Sequence, residues 1–465
     1  MRWLLCFTHQ GKFRPLTSNL TMTIQLHTSL PGPKSQEILK RRAEAMPAGL
    51  AKSTEVVVAD AKGAVVKDID GNTLLDFAGA IGVMNIGHCA PNVVKAIKEQ
   101  AEKYIHTCAL VTTFEPMVEL CEQLNKITPG NHPKKTLLAN SGSEAVENAV
   151  NISRYFTKRR GVICFEGGYH GRTLLTLSLT SKHGLFKKGF GPFGGDIYRL
   201  PAPNLYRKPA QMSEEEYLDH CIQNLRNALI SQVDPSDLAA ILIEPVQGEG
   251  GFIPMPARFL QEIRNICSES GAVMICDEIQ SGFMRTGKLF ACEHYGIVPD
   301  MITVAKSLGA GLPISATIGK SEIMDSVHLG GVGGTYGGSP VTCVAALEVI
   351  REMATPAFQQ HAQRIGKVME ERLNQWKEKY PIIGDVRGLG PMRLVEFVKD
   401  RTTRTPDPDL TLKIIRDAVS KGIILIRAGL FSNCIRLLPP LVITEEQCHE
   451  GLDVLEGAIQ RGVHG

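Results

Sequence analysis

Short β-branched runs alternate with helical segments through the middle of the chain, and this alternation constrains the fold more than any other feature. Such runs cover residues 161–165, 239–244, 272–277 and 301–305, and the segment 259–268 between two of them has helical spacing. Strands that alternate with helices form a parallel sheet covered by helices on both faces. The sequence therefore predicts an α/β fold with a mostly parallel sheet.

The length of 465 residues indicates more than one domain, because single cores stop growing well below that size. Near the N-terminus, Asp70 and Gly71 form a predicted turn between two short strands. After Pro340 the pattern changes to long helical segments. We predict an N-terminal extension over residues 1–36, the first part of a small domain over 37–80, a large domain over 81–338 and the remainder of the small domain over 339–465.

The composition gives no indication of nucleic-acid, membrane or zinc binding. The formal net charge is only +3, and the basic cluster at 158–160 is brief, which is typical of a solvated surface. No apolar stretch approaches the roughly 20 residues that span a bilayer. The 12 cysteines lack zinc-site spacing, and Cys164 and Cys276 lie in apolar runs, as buried thiols do in a reducing compartment. We therefore predict neither a nucleic-acid nor a membrane partner.

Residues 1–36 contain basic residues, many Ser and Thr, and no Asp or Glu. Two interpretations stay open. The segment is either a transit peptide or a dispensable extension, with Met22 as an internal start. The first interpretation implies the mitochondrial matrix, and the second, which we favour, implies the cytoplasm.

Polar residues follow the predicted strands at the edge of the sheet where ligands gather in open parallel sheets. Asp277 follows five apolar residues, so its carboxylate needs a cation or donors, either a protonated pyridine nitrogen or an ordinary cap or ion pair. Lys306 ends the next strand, where a lysine is commonly a surface residue. Beside Asp277, however, its amine is placed to form an imine with a cofactor and to transfer the substrate proton. Glu244 ends another strand of the same group.

Two glycine-containing segments are candidates for phosphate binding. Ser141, Gly142, Ser143 and Glu144 form a capping box at a predicted helix start, where free N–H groups and the helix dipole favour an anion. A simple cap is the alternative. The segment 333–338 is a second glycine-rich loop, which is either a phosphate loop or a turn.

Aromatic and basic residues complete the set of candidates. Tyr169 and His170 either stack on a flat ring or form a half-buried pair near a turn. Arg172 and Arg436 lie in apolar or small-residue segments, where a guanidinium needs an anion. That anion is either a substrate carboxylate or a structural ion-pair partner.

Taken together, six motifs resemble those of the class III aminotransferases, and the resemblance runs from about Ile38 to the carboxyl terminus. They are Ser-Gly-Ser-Glu-Ala at 141–145, Tyr-His-Gly-Arg-Thr at 169–173, Glu-Pro-Val-Gln-Gly-Glu-Gly-Gly at 244–251, Asp-Glu-Ile-Gln-Ser-Gly at 277–282, Ala-Lys-Ser at 305–307 and Gly-Gly-Thr-Tyr at 333–336. The resemblance implies fold type I, with a mostly parallel seven-stranded sheet in the large domain and a small α/β domain made from both chain ends. It implies pyridoxal 5′-phosphate as cofactor, held by Lys306, and a homodimer or a dimer of dimers.

The resemblance also implies a role for each residue that binds the cofactor. Gly142 and Ser143, with Ser141, would hold the phosphate, and Thr335 of the other subunit would reach it. Four residues would contact the ring of the cofactor. Tyr169 would stack on it and His170 would lie beside it, while Asp277 would pair with its nitrogen and Gln280 would bond its 3′ oxygen.

For the substrates, the resemblance implies two arginines with separate tasks. Arg172, beside Ile81, would hold the distant carboxylate of an ω-amino acid, and Arg436 would hold the α-carboxylate of glutamate or 2-oxoglutarate. Glu249 would pair with Arg436 while the ω-amino acid is bound. Glu244 completes the predicted substrate-binding residues.

The implied reaction is ping-pong transamination from 4-aminobutyrate to 2-oxoglutarate, which gives succinate semialdehyde and glutamate. The aliphatic Ile81 favours 4-aminobutyrate, whereas Leu110 stands where similar chains carry glutamine and leaves the chain length open. The alternatives are another ω-amine, namely 5-aminovalerate, ornithine or 2,4-diaminobutyrate, or a non-catalytic regulatory protein that binds the cofactor. Intact Lys306, Asp277 and Arg436 speak against the regulatory protein.

Overall fold

The computed structural model describes residues 22–464, in which strands and helices alternate through the central part. The strands are β1 (Val58–Lys62), β2 (Val65–Asp68), β3 (Thr73–Asp76), β4 (Lys134–Ala139), β5 (Gly161–Phe165), β6 (Ile197–Leu200), β7 (Leu238–Ile243), β8 (Val246–Gln247), β9 (Ile253–Pro254), β10 (Val273–Asp277), β11 (Met301–Val304), β12 (Ser315–Lys320), β13 (Ile383–Leu389), β14 (Met392–Asp400), β15 (Thr405–Pro406), β16 (Ile423–Ile424), β17 (Ile426–Ala428) and β18 (Cys434–Leu437). The helices are α1 (Pro33–Ala45), α2 (Gly79–Gly82), α3 (Pro91–Lys103), α4 (Glu115–Ile127), α5 (Gly142–Thr157), α6 (Leu174–Leu179), α7 (His183–Phe186), α8 (Glu214–Ser231), α9 (Ala257–Ser270), α10 (Ser321–Met324), α11 (Pro340–Met353), α12 (Pro356–Lys379), α13 (Pro408–Ser420) and α14 (Glu445–His464). Among the described residues, no helix combines the length and the apolar character needed to cross a bilayer.

The large domain is built on a seven-stranded sheet with the order β4-β12-β11-β10-β7-β5-β6. Strand β12 runs antiparallel to both of its neighbours, and the other pairings of the sheet are parallel. The carboxyl ends of the parallel strands therefore meet at one edge. This confirms the predicted α/β fold with a mostly parallel sheet.

Helices cover both faces of this sheet, which explains its continuous apolar runs. Ile163 and Ile241 lie in the hydrophobic cluster on one face, whereas their neighbours Val162 and Ala240 lie in the cluster on the other face. All four side chains are fully buried. Successive side chains of each strand thus point to opposite faces, and one sheet contributes to a hydrophobic core on each side.

The small domain combines segments from both ends of the chain, as predicted. Strand β16 pairs in parallel with β3 and completes the sheet β1-β2-β3-β16, while β13, β14, β18 and β17 form a second sheet. The main-chain amides of Thr23 and Ile24 donate to the carboxylate of Glu450 at 2.9 and 2.8 Å. Residues 1–21 of the predicted extension lie outside the described residues. The domain boundaries remain a prediction. The contacts of Thr23 and Ile24 with Glu450 indicate that the small domain begins before residue 37.

A fully buried arginine joins the two domains close to the sheet edge. Arg285 donates from Nε to Asn85 Oδ1 at 3.0 Å and from Nη1 to the carbonyl of Pro439 at 3.0 Å. Asn85 in turn donates to the carbonyl of Phe283 at 2.7 Å. Burial lowers the pKa of Arg285 to about 9. These bonds fix the segment after β18 against the large domain.

Candidate active site

A cavity of about 380 Å³ opens at the carboxyl ends of the parallel strands. Its walls come from β4, β5, β7, β10 and β11 and from the loops that follow them. The predicted residues that line it are Ser141, Gly142, Ser143, Tyr169, His170, Glu244, Glu249, Asp277, Gln280 and Lys306. Ile81, Arg172, Thr335 and Arg436 are outside this lining. The strand-end pattern therefore places most of the candidate residues around one cavity.

Lys306 follows β11 after one intervening residue, Ala305, and has a left-handed backbone, with φ of 46°. The next residue, Ser307, donates from Oγ to the carbonyl of Gly82 at 2.8 Å and so ties this strand end to α2. Burial lowers the pKa of the Lys306 ammonium, while the negative charges of Asp277 and Glu244 act in the opposite direction. Burial thus favours the neutral amine, which is the nucleophilic and basic form.

Asp277 lies at the end of β10 with only 3% of its surface exposed. Its Oδ2 is 2.7 Å from His170 Nδ1, and its Oδ1 accepts from Thr303 Oγ1 at 3.2 Å and from the amide of Ile279 at 3.1 Å. Three polar contacts offset the cost of burying this carboxylate and fix its direction.

Glu244 is a second buried carboxyl group beside Asp277 and His170. Its Oε1 accepts from the amide of Tyr169 at 2.8 Å, and its Oε2 accepts from the amide of Gly248 at 2.7 Å. Burial raises the pKa of Glu244 to about 7, although the nearby His170 and the two amides lower it. The carboxyl group of Glu244 therefore holds together the loop at Tyr169 and the loop at Gly248.

The start of the 16-residue helix α5 also lines the cavity. Ser141 and Glu144 form the predicted capping box, in which Ser141 Oγ accepts from the Glu144 amide at 3.3 Å and Glu144 Oε2 accepts from the Ser141 amide at 2.8 Å. The amides of Gly142 and Ser143 stand at the same helix start on the cavity wall. This is a site for an anion such as a phosphate.

Gln280 carries a buried oxygen that a polar ligand in the cavity could satisfy. Its Oε1 is buried, lines the cavity side of the sheet edge, and has no hydrogen-bond partner among the described residues. An unpaired buried amide oxygen is costly, so a ligand group that reaches it would remove that cost.

An aromatic wall carries the predicted Arg172. Tyr169 packs edge-on against Phe186, with ring centroids 5.1 Å apart. Arg172 Nε donates to the Tyr169 hydroxyl at 3.2 Å, and the guanidinium lies 4.8 Å from the centre of the Phe186 ring. These contacts hold an exposed cation at the rim of the cavity.

Arg436 lies behind the lining, on β18, and its partner is the predicted one. Arg436 Nη1 donates to Glu249 Oε2 at 3.0 Å, and the arginine side chain is 7% exposed. Arg436 Nε is buried without a hydrogen-bond partner among the described residues. The guanidinium therefore keeps donor capacity beyond its ion pair.

Ile81 is carried by an unusual backbone segment. Gly79, Ala80, Ile81 and Gly82 have φ values of 51°, 50°, 65° and 76°, so α2 is a left-handed turn. A Cβ atom on Gly79 would lie 2.2 Å from the carbonyl oxygen of Leu438, so only glycine fits there. The turn leaves Ile81 46% exposed beside the cavity-lining Val83.

Thr335 does not join the cavity within one chain. It is exposed on the loop 333–338, next to the exposed Tyr336. Its predicted role requires a second subunit and stays a prediction.

Sequence reasoning missed three residues that support the site. Phe186 backs Tyr169 and Arg172, Thr303 binds Asp277, and Lys182 Nζ lies 3.5 Å from Glu249 Oε1. Thr303 carried a usable signal, because a threonine inside an apolar strand needs a hydrogen-bond partner. Phe186 ends the short helix α7 and Lys182 precedes it, and the sequence does not reveal how this segment packs.

A lysine whose burial favours the neutral amine, a fixed acid on the next strand and an anion site in the same cavity are what pyridoxal phosphate requires. The fold and the site together define a pyridoxal-phosphate-dependent enzyme of fold type I. The Aminotransferase class-III family model matches residues 48–459. The chain therefore belongs to the class III aminotransferases.

Similar proteins agree with this family over nearly the whole chain. A 4-aminobutyrate aminotransferase from Mycobacterium leprae is 45% identical over 433 residues, which cover 93% of this chain and 97% of that protein. A 5-aminovalerate aminotransferase from Pseudomonas aeruginosa is 44% identical over 421 residues, which cover 90% and 97%. The solved structure of an ω-transaminase from Pseudomonas jessenii in complex with PMP has a TM-score of 0.84 at 25% identity, covering 91% of this chain and 95% of that one.

Proposed function

We propose that this enzyme transfers the amino group of 4-aminobutyrate to 2-oxoglutarate, giving succinate semialdehyde and glutamate. The names of two similar proteins support an ω-amino acid as donor, with 5-aminovalerate as the second substrate to test. Small-molecule amino donors and keto acids are the partners expected of an aminotransferase.

The observation that carries this proposal is the ion pair between Arg436 and Glu249. 4-Aminobutyrate has no carboxylate on the carbon that bears its amino group, so a free cation there would stay unpaired and destabilise the complex. Glutamate does have that carboxylate, and it needs the cation. Arg436 Nη1 donates to Glu249 at 3.0 Å, and Nε has no partner among the described residues. Arg436 can therefore stay paired with Glu249 while 4-aminobutyrate is bound and can bind the α-carboxylate of glutamate once Glu249 releases it.

Arg172 supplies the contact that both substrates share. Each has a carboxylate at the end away from the reacting carbon, and Arg172 presents an exposed guanidinium at the cavity rim. We assign this distant carboxylate to Arg172, with the side chain of Ile81 beside the carbon chain. One fixed arginine and one releasable arginine thus account for two substrates of different charge.

The residues of this chain divide the work on the cofactor. Gly142 and Ser143 would hold the phosphate, Asp277 would face the ring nitrogen, and Gln280 would bond the ring oxygen. Pyridoxal phosphate, when bound, accepts the amino group and withdraws electrons from the carbon that carried it.

Lys306 Nζ performs the proton transfer. As a neutral amine it would take the proton from the substrate carbon that bears nitrogen and would hold that proton for the return transfer. Burial lowers the pKa of Lys306 and thereby favours this basic form. The aldehyde leaves before 2-oxoglutarate enters, so the kinetics are ping-pong.

We further propose that the enzyme works as a homodimer or a dimer of dimers. Leu110, Val111 and Tyr336 are large apolar or aromatic side chains with 67%, 79% and 64% exposure. They lie near Thr335, and a second subunit packed here would cover them and bring its own Thr335 to the phosphate site. Sedimentation and a Thr335→Ala variant with weaker cofactor affinity would test this assembly.

We place the enzyme in the cytoplasm, with the mitochondrial matrix as the alternative if residues 1–36 are a transit peptide. The buried free thiols, including Cys164 and Cys276, support a reducing compartment.

The deciding experiment is a panel of amines with 2-oxoglutarate as acceptor. We expect 4-aminobutyrate, and to a lesser extent 5-aminovalerate, to be turned over. If both fail while ornithine or 2,4-diaminobutyrate reacts, the proposed donor is wrong.

A lysine substitution tests the chemistry separately from the donor. The holoenzyme should absorb visible light, and borohydride should fix the cofactor to Lys306. Lys306→Ala should lose both the fixation and turnover, whereas Lys288→Ala, at an exposed lysine, should keep both. Turnover retained in Lys306→Ala would exclude the proposed role.

A further inference from the structure

Glu249 lies between two cations, one for each of its carboxylate oxygens. Its Oε2 accepts from Arg436 Nη1 at 3.0 Å, and its Oε1 lies 3.5 Å from Lys182 Nζ. The exposed fractions of the three side chains are 17% for Glu249, 7% for Arg436 and 15% for Lys182. Charges this far from solvent interact more strongly than surface ion pairs do.

Lys182 is held in this position by a second contact. Its Nζ donates to the carbonyl of Gly429 at 3.0 Å, and the amide of Gly429 donates to the carbonyl of Glu249 at 3.0 Å. The preceding residue, Ser181, donates its amide to the carbonyl of Gly168 at 2.8 Å, at the end of β5. Lys182 therefore stays beside Glu249 whether or not Glu249 remains on Arg436.

We propose that Lys182 pairs with the Glu249 carboxylate when Arg436 binds a substrate carboxylate instead. This inference depends on the proposed function, because it assumes that Arg436 takes the α-carboxylate of glutamate or 2-oxoglutarate. Lys182 touches neither substrate nor cofactor in this scheme. It is a positioning residue that acts through Glu249.

Charge balance explains why a second cation is needed. While an ω-amino acid is bound, Glu249 is shared by Arg436 and Lys182. When a dicarboxylate binds, its α-carboxylate occupies Arg436, and a largely buried Glu249 without a partner would be strongly unfavourable. Lys182 supplies that partner at a distance that a side-chain rotation of Glu249 can close. Arg436 and Lys182 then balance Glu249 and the substrate carboxylate.

The test compares two inert probes that differ by one carboxylate. Glutarate has both carboxylates of 2-oxoglutarate, whereas butyrate has only the one assigned to Arg172. In calorimetric titrations of the holoenzyme, Lys182→Met should weaken glutarate binding about tenfold, as expected for loss of one charge-assisted hydrogen bond. Butyrate binding should be unchanged, because Glu249 stays on Arg436 in that complex.

Two further variants separate the charge from the contact with Gly429. Lys182→Gln keeps a donor for the Gly429 carbonyl but lacks the charge, so it should bind glutarate as poorly as Lys182→Met. Lys182→Arg should restore glutarate binding. Lys188→Met, at an exposed lysine on the other side of α7, should match the wild type.

Single-turnover assays give a second readout. In Lys182→Met the half-reaction with 2-oxoglutarate should need about tenfold more substrate for half-maximal rate, whereas the 4-aminobutyrate half-reaction should not change. A purely structural role would impair both.

The outcomes separate this inference from the proposed function. If the wild type binds glutarate no better than butyrate, Arg436 does not receive a carboxylate, and both proposals are overturned. If the wild type prefers glutarate and Lys182→Gln keeps that preference, the role of Lys182 alone is overturned.

Discussion

Ile81 occupies a backbone conformation that L-amino acids avoid, and substitution there should reverse the usual order of stability between alanine and glycine. Its φ and ψ are 65° and 42°. A left-handed residue with a Cβ costs about 1–2 kcal/mol relative to the right-handed conformation. Glycine avoids that cost, because it has no Cβ to approach the following carbonyl oxygen.

The expected magnitude follows from two opposing terms. Ile81→Gly and Ile81→Ala both remove a side chain that is 46% exposed, so they lose similar packing, about 1 kcal/mol. Relative to alanine, glycine gains about 1–2 kcal/mol from relief of strain and loses about 0.5–1 kcal/mol of chain entropy. Ile81→Gly should therefore be more stable than Ile81→Ala by up to about 1.5 kcal/mol.

The assay is thermal unfolding at fixed enzyme and cofactor concentrations, with a matched pair of variants at Ile230. Ile230 is 88% exposed and lies in the last turn of the right-handed helix α8, where alanine should be more stable than glycine by up to about 1 kcal/mol. The order should thus be opposite at positions 81 and 230. Alanine being more stable than glycine at both positions would refute the reasoning.

Three further predictions concern acidic residues of the site. Glu249→Ala leaves Arg436 uncovered, so the 4-aminobutyrate half-reaction should weaken more than the glutamate half-reaction; equal losses in single-turnover assays of both halves would contradict the exchange of partners. Asp277→Asn keeps the shape of the side chain but removes its charge, so kcat should fall at least about 100-fold, while a loss under tenfold would exclude an electrostatic role. For Glu244, burial raises the pKa from 4.5 to about 7, so the folded protein favours the protonated form. As pH rises from about 4.5 to about 7, the free energy of unfolding of the wild type should therefore fall by up to about 3 kcal/mol relative to that of Glu244→Gln. Melting curves of the two cofactor-free proteins measure this difference. A difference that does not change with pH would contradict the pKa shift.

The meeting of Asp277 and Lys306 at one cavity could be predicted because the carboxyl ends of parallel strands converge. Asp277 and Lys306 are 29 residues apart in sequence, yet each follows a buried run, and runs that alternate with helices must end at one edge of the sheet. The helix start at Ser141 had an equally local signal, the capping box.

The left-handed turn and the second partner of Glu249 could not be predicted. The sequence Gly79-Ala-Ile-Gly82 fits many loop conformations, and it is the contact of Gly79 with Leu438, from the other end of the chain, that selects this one. Lys182 likewise meets Glu249 only because the loop after α6 folds back toward Gly429. Such contacts depend on tertiary packing, and the sequence of a loop has no hydrophobic periodicity from which that packing could be predicted.

The way each acid is held explains how one cavity combines a fixed chemistry with two substrates. Asp277 is bound by a histidine, a threonine and a main-chain amide, and Glu244 by two main-chain amides, so moving either would break several bonds at strand ends. The carboxylate of Glu249, by contrast, has ionic contacts only with the long side chains of Arg436 and Lys182 among residues 22–464. In the proposed scheme, rotation of one glutamate side chain would exchange its partners without disturbing the sheet edge, so substrate charge could change while the proton-transfer geometry at Lys306 would not.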